Sequence, residues 1–287
     1  MRILLTGRNG QVGWELERSL APLGDLIATD RAMLDLADAE AIRRVVRETK
    51  PDVVVNAAAY TAVDRAESEP EAALRINSAA PGILAEEARR LGALLVHYST
   101  DYVFEGTKTT PYVEEDPTHP LNAYGWSKLE GERAIQSSGC RHLVLRTSWI
   151  YSARGSNFLR TILRRARSQP ELRVVNDQIG APTSAAAIAR VTARILGRTG
   201  PEGVFHASAS GQTSWHGFAE AIVKSAGLPT RVVGIRSQDY PSAALRPRNS
   251  LLDNAKLRSL FAILLDDWQE QLGEVMDPRF AALEGAQ

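Results

Sequence analysis

Ile3-Leu4-Leu5-Thr6-Gly7-Arg8-Asn9-Gly10-Gln11-Val12-Gly13 opens the chain as a short apolar run, a turn holding three glycines, and the start of a helical pattern. A strand that passes through a glycine turn into a helix aims backbone amides and the positive end of the helix dipole at one spot, which suits a diphosphate. Glycines at this spacing also serve tight turns and close helix packing, so the order strand, turn, helix carries the reading. Val12, Leu16 and Leu20 follow at four-residue spacing, an apolar face to lay on a sheet.

The same alternation continues downstream. Residues 26–28, 53–55, 94–96, 143–145 and 174–175 are short apolar runs, and Ile42, Val45 and Val46 mark another helical face. Runs that are continuous rather than alternating belong to strands covered on both sides. The fold class expected is therefore α/β, a doubly wound parallel Rossmann sheet with right-handed crossovers. Beyond about residue 150 the regularity weakens around Ala181-Pro182-Thr183-Ser184 and Arg246-Pro247-Arg248-Asn249. Residues 1–150 and about 175–204 are assigned to the dinucleotide-binding domain, and about 151–174 and 205–287 to a smaller C-terminal substrate-binding lobe.

Composition narrows the partners. The 287 residues are 44% hydrophobic, enough for a large buried core, and Lys+Arg and Asp+Glu both number 34. With no net basic field, neither nucleic acid nor an anionic membrane is an expected partner. Cys140 is alone, the apolar run at the N-terminus is too short for a secretion signal, and no run of about 18 apolar residues exists. A cytoplasmic location is expected.

At the end of the second strand, Asp30 has the carboxylate that bonds a ribose 2′-hydroxyl, and Arg31 beside it has the charge that neutralises a 2′-phosphate, so NADH and NADPH are both accommodated. Asp35 and Leu36 resemble an Asp-Leu pair that related enzymes place near adenine, and Asp35 reads nearly as well as a helix N-cap. Ala57, Ala58 and Ala59 end the third strand and let the backbone pass close beneath a cofactor. After the fourth strand Thr100 offers a hydroxyl to a substrate carbonyl, and Tyr124 and Lys128 stand four apart in Tyr-Gly-Trp-Ser-Lys. One helical turn places phenol and ammonium on one face, so the cation is expected to bring a phenol that ordinarily titrates near 10 towards neutrality. The chemistry implied is ketone reduction, with Tyr124 as proton donor, Thr100 holding the oxygen and Lys128 gripping a ribose. His97 and Cys140 read as packing residues.

The glycine pattern resembles the extended short-chain dehydrogenase/reductases, which bind NAD or NADP. Longer motifs make the likeness specific: Asn56-Ala57-Ala58-Ala59-Tyr60-Thr61-Ala62-Val63-Asp64-Arg65-Ala66-Glu67, Ser99-Thr100-Asp101-Tyr102-Val103-Phe104-Glu105-Gly106, Tyr124 to Lys128, Arg146-Thr147-Ser148-Trp149-Ile150-Tyr151, Asp177-Gln178-Ile179-Gly180-Ala181-Pro182-Thr183 and Arg246-Pro247-Arg248-Asn249-Ser250. Over essentially the whole chain these resemble the dTDP-4-dehydrorhamnose reductase family. That resemblance implies reduction of the 4-keto group of dTDP-6-deoxy-L-lyxo-4-hexulose to dTDP-L-rhamnose, with NADPH and often NADH. It makes Thr100, Tyr124 and Lys128 the catalytic trio and extends the cofactor contacts through Gly7, Asn9, Gly10, Gln11 and Val12. Thr61, Val63, Tyr102, Trp149 and Asn157 are implied for the sugar pocket, with Arg246 and Arg248 for the diphosphate.

Two departures qualify the likeness. Some relatives dimerise around magnesium held by glutamates; Glu15 is retained, but Ala186 stands where they carry a carboxylate, which argues against a Mg2+-dependent pair and leaves a homodimer open. Tyr151-Ser152-Ala153 also replaces the usual Tyr-Gly start of its loop. Among rivals, sugar-nucleotide 4,6-dehydratases need a second carboxylate after the threonine, where this chain has Asp101-Tyr102. An epimerase, another nucleotide-sugar reductase, or a non-catalytic NADP-binding subunit similar to the methionine adenosyltransferase beta subunit remain alternatives.

Overall fold

The computed structural model describes residues 1–198 and 200–277. Six parallel strands form the central sheet: β1 (Arg2–Thr6), β2 (Asp25–Thr29), β3 (Val53–Asn56), β4 (Leu94–Thr100), β5 (Arg141–Thr147) and β6 (Gly203–His206), in the spatial order β6-β5-β4-β3-β1-β2. Their apolar runs are continuous because alternate residues feed different cores. Ile3, Leu5, Val53 and Val55 face Leu16 and Leu20 of α1 (Gln11–Leu20) and Ile188 of the helix Ala185–Leu196. Leu4 and Val54 face Ile42 and Val46 of α2 (Ala39–Thr49) and Leu84 of α3 (Ala80–Leu91). Each buried aliphatic side chain contributes roughly 1.5–3 kcal/mol, so both faces are strongly specified.

Residues 174–175 lie in a strand, Glu171–Val175, but one that pairs with Arg231–Ile235 away from the central sheet. The sixth sheet strand is Gly203–His206 instead, beside β5. That strand straddles residue 204, and Leu257, Phe261, Ile263 and Leu265 also pack into the core of the sheet, so the C-terminal stretch visits both bodies. A separate core joins Tyr151, Leu159, Leu172, Phe218, Trp268 and Leu272. Residue 199 and residues 278–287, which the sequence division placed in the first domain and the C-terminal lobe respectively, lie outside the described residues. Among the described residues no helix is long and apolar enough to cross a membrane.

Parallel register decides what meets at the carboxyl edge of the sheet. Thr6 pairs with Asn56 and Asn56 with His97, which sets three polar side chains side by side under the mouth of the crevice. The helix α4 (Ala123–Ser138) packs over them. Asn122 caps it by accepting from the Gly125 N–H at 2.8 Å, and a Cβ on Gly125 would come within 2.3 Å of the Tyr102 carbonyl oxygen. Only glycine there lets α4 press Tyr124 and Lys128 onto the end of β4.

Candidate active site

A cleft of roughly 970 Å³ runs from the glycine turn to the C-terminal segments. The size suits an extended ligand. At its inner end Gly7 adopts φ +75°, and a Cβ on it would lie 2.8 Å from the backbone of Ala58. The turn and the third strand therefore touch backbone to backbone, leaving the open end of α1 as a cradle for a diphosphate. Asn9, Gly10, Gln11, Val12, Asp30 and Arg31 line the same part, as do Asp35, Leu36, Ala57, Ala58 and Ala59. Asp30 Oδ1 accepts from the N–H groups of Ala32 (2.9 Å) and Met33 (3.1 Å), and Arg31, largely exposed, lies 3.4 Å from Asp35. Asp38, not Asp35, caps α2, accepting from Glu40 and Ala41. The cradle fits a dinucleotide, and an exposed arginine beside a carboxylate engaged by backbone amides leaves room for a 2′-phosphate.

Further along, Thr100, Tyr124 and Lys128 converge as the sequence predicts, together with Thr61, Val63, Tyr102, Trp149 and Asn157. Lys128 is 2% exposed. Its Nζ donates to the Tyr98 carbonyl at 2.6 Å and lies 3.1 Å from His97 Nε2, while Asn56 Nδ2 lies 3.1 Å from His97 Nδ1 and Thr6 Oγ1 donates to Asn56 Oδ1 at 2.7 Å. Burial lowers Lys128 to about 8, partly opposed by Glu132, which Arg146 holds at 2.7 Å. Burial, then the Lys128 charge, keep His97 well below its ordinary value, so its ring is neutral. His97 is thus more than packing: it is a direct partner of the lysine.

Tyr124 departs from expectation. Packing around its hydroxyl pushes it up to about 12, the Asp101 charge adds to this, and a hydrogen bond with Thr100 works the other way. Lys128 does not lower it in this arrangement because the ammonium is turned to Tyr98 and His97. The phenol is therefore fully protonated at neutral pH, the form a proton donor requires. Tyr102 meets its ring edge-on at 5.9 Å.

Trp149 sits at φ +49° with its indole stacked on Trp215 at 3.6 Å. Trp215 begins the helix Trp215–Ser225, and sequence reading missed it although a tryptophan beside the Ser214 helix cap was visible. Asn157 caps the helix Phe158–Ala166 and donates to Gln11 Oε1 at 2.7 Å, which ties that loop to the glycine turn. Arg246, implied for the diphosphate by the resemblance, is bonded to the cleft residue Tyr102, and its guanidinium lies 2.8 Å from Asp64, which it holds down at about 2. Arg248 is exposed. Glu15 and Ala186 lie on the packed helices α1 and Ala185–Leu196.

The RmlD substrate binding domain family matches this chain over residues 1–280. A dTDP-4-dehydrorhamnose reductase of Burkholderia thailandensis is 52% identical, covering 95% of this chain and 97% of that protein. A solved dTDP-4-dehydrorhamnose reductase of Clostridium acetobutylicum is similar with a TM-score of 0.93 at 37% identity, covering 97% of this chain and 99% of that one. The structure of the Bacillus anthracis dTDP-4-dehydrorhamnose reductase, in complex with NADP, gives 0.91 at 33% identity over 96% and 98%.

Proposed function

Because this chain belongs to the dTDP-4-dehydrorhamnose reductase family, we propose that Thr100, Tyr124 and Lys128 carry out reduction of dTDP-4-dehydrorhamnose to dTDP-L-rhamnose with NADPH. NADPH supplies the hydride. The observation that carries the reading is a protonated Tyr124 facing the same cleft as the glycine cradle.

Tyr124 Oη gives its proton to the oxygen of the ketone as that oxygen gains charge. Thr100, hydrogen-bonded to Tyr124, keeps the phenol in register with that oxygen, and Lys128, charged below about pH 8, holds the ribose in place for transfer. Gly7, Gly10 and the first amides of α1 hold the diphosphate. Thr61 and Val63 flank the sugar, and the Trp149–Trp215 stack offers it an apolar wall. Arg246, bonded to Tyr102 and paired with Asp64, shapes this wall at the edge of the cleft. The division into a cofactor lobe and a substrate lobe is supported by the separate core around Phe218, with β6 and residues 255–265 grouped with the cofactor lobe. Dependence on NADPH supports a cytoplasmic setting.

Purified protein mixed with the dTDP-keto sugar and either NADPH or NADH tests this directly at the nicotinamide absorbance band. Cofactor oxidation in step with dTDP-L-rhamnose formation is expected. Cofactor binding without oxidation would place the chain among non-catalytic relatives.

A further inference from the structure

Asp101 follows Thr100 directly and is 3% exposed, lining the cleft. Its Oδ1 accepts from Thr100 Oγ1 at 2.9 Å and the carboxyl is also bonded to Ser250. Its Oδ2, fully buried, has no hydrogen-bond partner. A buried carboxylate oxygen left unpaired is costly, whereas the same oxygen in a neutral carboxyl is far less so.

Counting donors shows what this means for the reaction. Thr100 has one proton and two lone pairs. One lone pair accepts from the Tyr102 N–H at 3.2 Å, and the rest of the hydroxyl is shared between Asp101 and Tyr124. An ionised Asp101 only accepts, so it takes the Thr100 proton. Tyr124 must then donate to Thr100, which turns the phenolic proton away from a ketone in the cleft. A protonated Asp101 donates to Thr100, Thr100 donates to Tyr124, and the Tyr124 proton is free to point at the substrate.

We propose that Asp101 is a positioning residue of the reductase, whose protonated carboxyl orients the hydroxyls of Thr100 and Tyr124 for proton donation to the ketone. The inference rests on the reductase reading above. Burial raises Asp101 to about 7, with the bonds from Ser250 and Thr100 opposing, so the switch operates around neutrality. The titratable neighbours are Tyr102 in its own turn and Tyr124 on α4, both of which the Asp101 charge pushes up. Arg246, beyond Tyr102, is paired with Asp64, and Lys128 on α4 points to Tyr98 and His97.

The test is the pH profile of turnover in wild type, Asp101→Asn and Asp101→Ala, at saturating NADPH and keto sugar. Asparagine keeps a donor for Thr100 at every pH. Wild-type turnover should fall about tenfold or more from pH 6 to pH 8, as expected for a group titrating at about 7. In Asp101→Asn the fall should be about twofold, the share left to Lys128 at about 8. Asp101→Ala should turn over more slowly than Asp101→Asn at both pH values. Identical limbs in wild type and Asp101→Asn, or equal rates in the two variants, would overturn the proposal without touching the reductase reading, which wild-type turnover tests alone. A second readout needs neither substrate nor cofactor: with aspartate carboxyl carbons labelled with 13C, one resonance should titrate near neutrality and vanish in Asp101→Asn. If the variants do not fold, that titration in the wild type decides, and carboxyls that all titrate in the ordinary range refute the assignment.

Discussion

Replacing Tyr124 by phenylalanine removes one oxygen and leaves the ring, so the edge-on contact with Tyr102 at 5.9 Å survives. With the phenol held at about 12, ionised tyrosinate is scarce at pH 7, and the variant loses a donor rather than a charge. The one hydrogen bond lost, with Thr100, is worth about 1 kcal/mol to stability and is offset by no longer burying the hydroxyl, so a melting shift beyond about 4 °C is not expected. Lys128 keeps its bonds to Tyr98 and His97, and NADPH affinity should change less than about threefold. Turnover should fall about a thousandfold, within the range for loss of a positioned proton donor and equal to roughly 4 kcal/mol. Nucleotide fluorescence titration gives the affinity and single-turnover oxidation of NADPH gives the rate. A variant that binds NADPH normally and keeps more than a tenth of wild-type turnover refutes the role given to the phenol.

His97→Phe deprives Lys128 of a polar partner that lies 3.1 Å away. An apolar ring in place of the imidazole deepens the desolvation of the ammonium, so the lysine should fall further below about 8 and the alkaline decline of turnover and NADPH affinity should begin at lower pH; His97→Gln should restore it, and unchanged profiles in both would remove His97 from the scheme. Trp215→Ala unstacks Trp149, a pair worth about 0.5–1.5 kcal/mol beyond burial, and should raise KM for the keto sugar about tenfold with NADPH affinity unchanged; an unaltered KM would make the stack purely structural.

The central strands were legible because burial on both faces leaves a run of aliphatics with no polar alternation, as in Val53-Val54-Val55. Gly203–His206 was not, since an edge strand holding only Val204 and Phe205 between a glycine and a histidine leaves too short a pattern. Residues 174–175 had the right composition but the wrong partner, and pairing between strands 60 residues apart is not a local property. In the site, short-range features carried over: the glycine turn, and Tyr124 and Lys128 one helical turn apart. Features that depend on meetings across the fold did not. His97 reaches Lys128 through strand register and helix docking, Trp215 reaches Trp149 over 66 residues, and Arg246 is drawn to Asp64. The direction of the Tyr124 shift was missed for the same reason, because burial and the heading of a lysine side chain are decided only once the chain has folded.

The most direct measurement uses NADPH carrying deuterium at the transferable position of its nicotinamide, with wild-type protein and dTDP-4-dehydrorhamnose, and reads the sugar by NMR. One deuterium at C4 of the deoxyhexose per NADPH consumed is the predicted result. Label remaining in the cofactor, or appearing at another carbon of the sugar, contradicts a ketone reduction with Tyr124 protonating the oxygen.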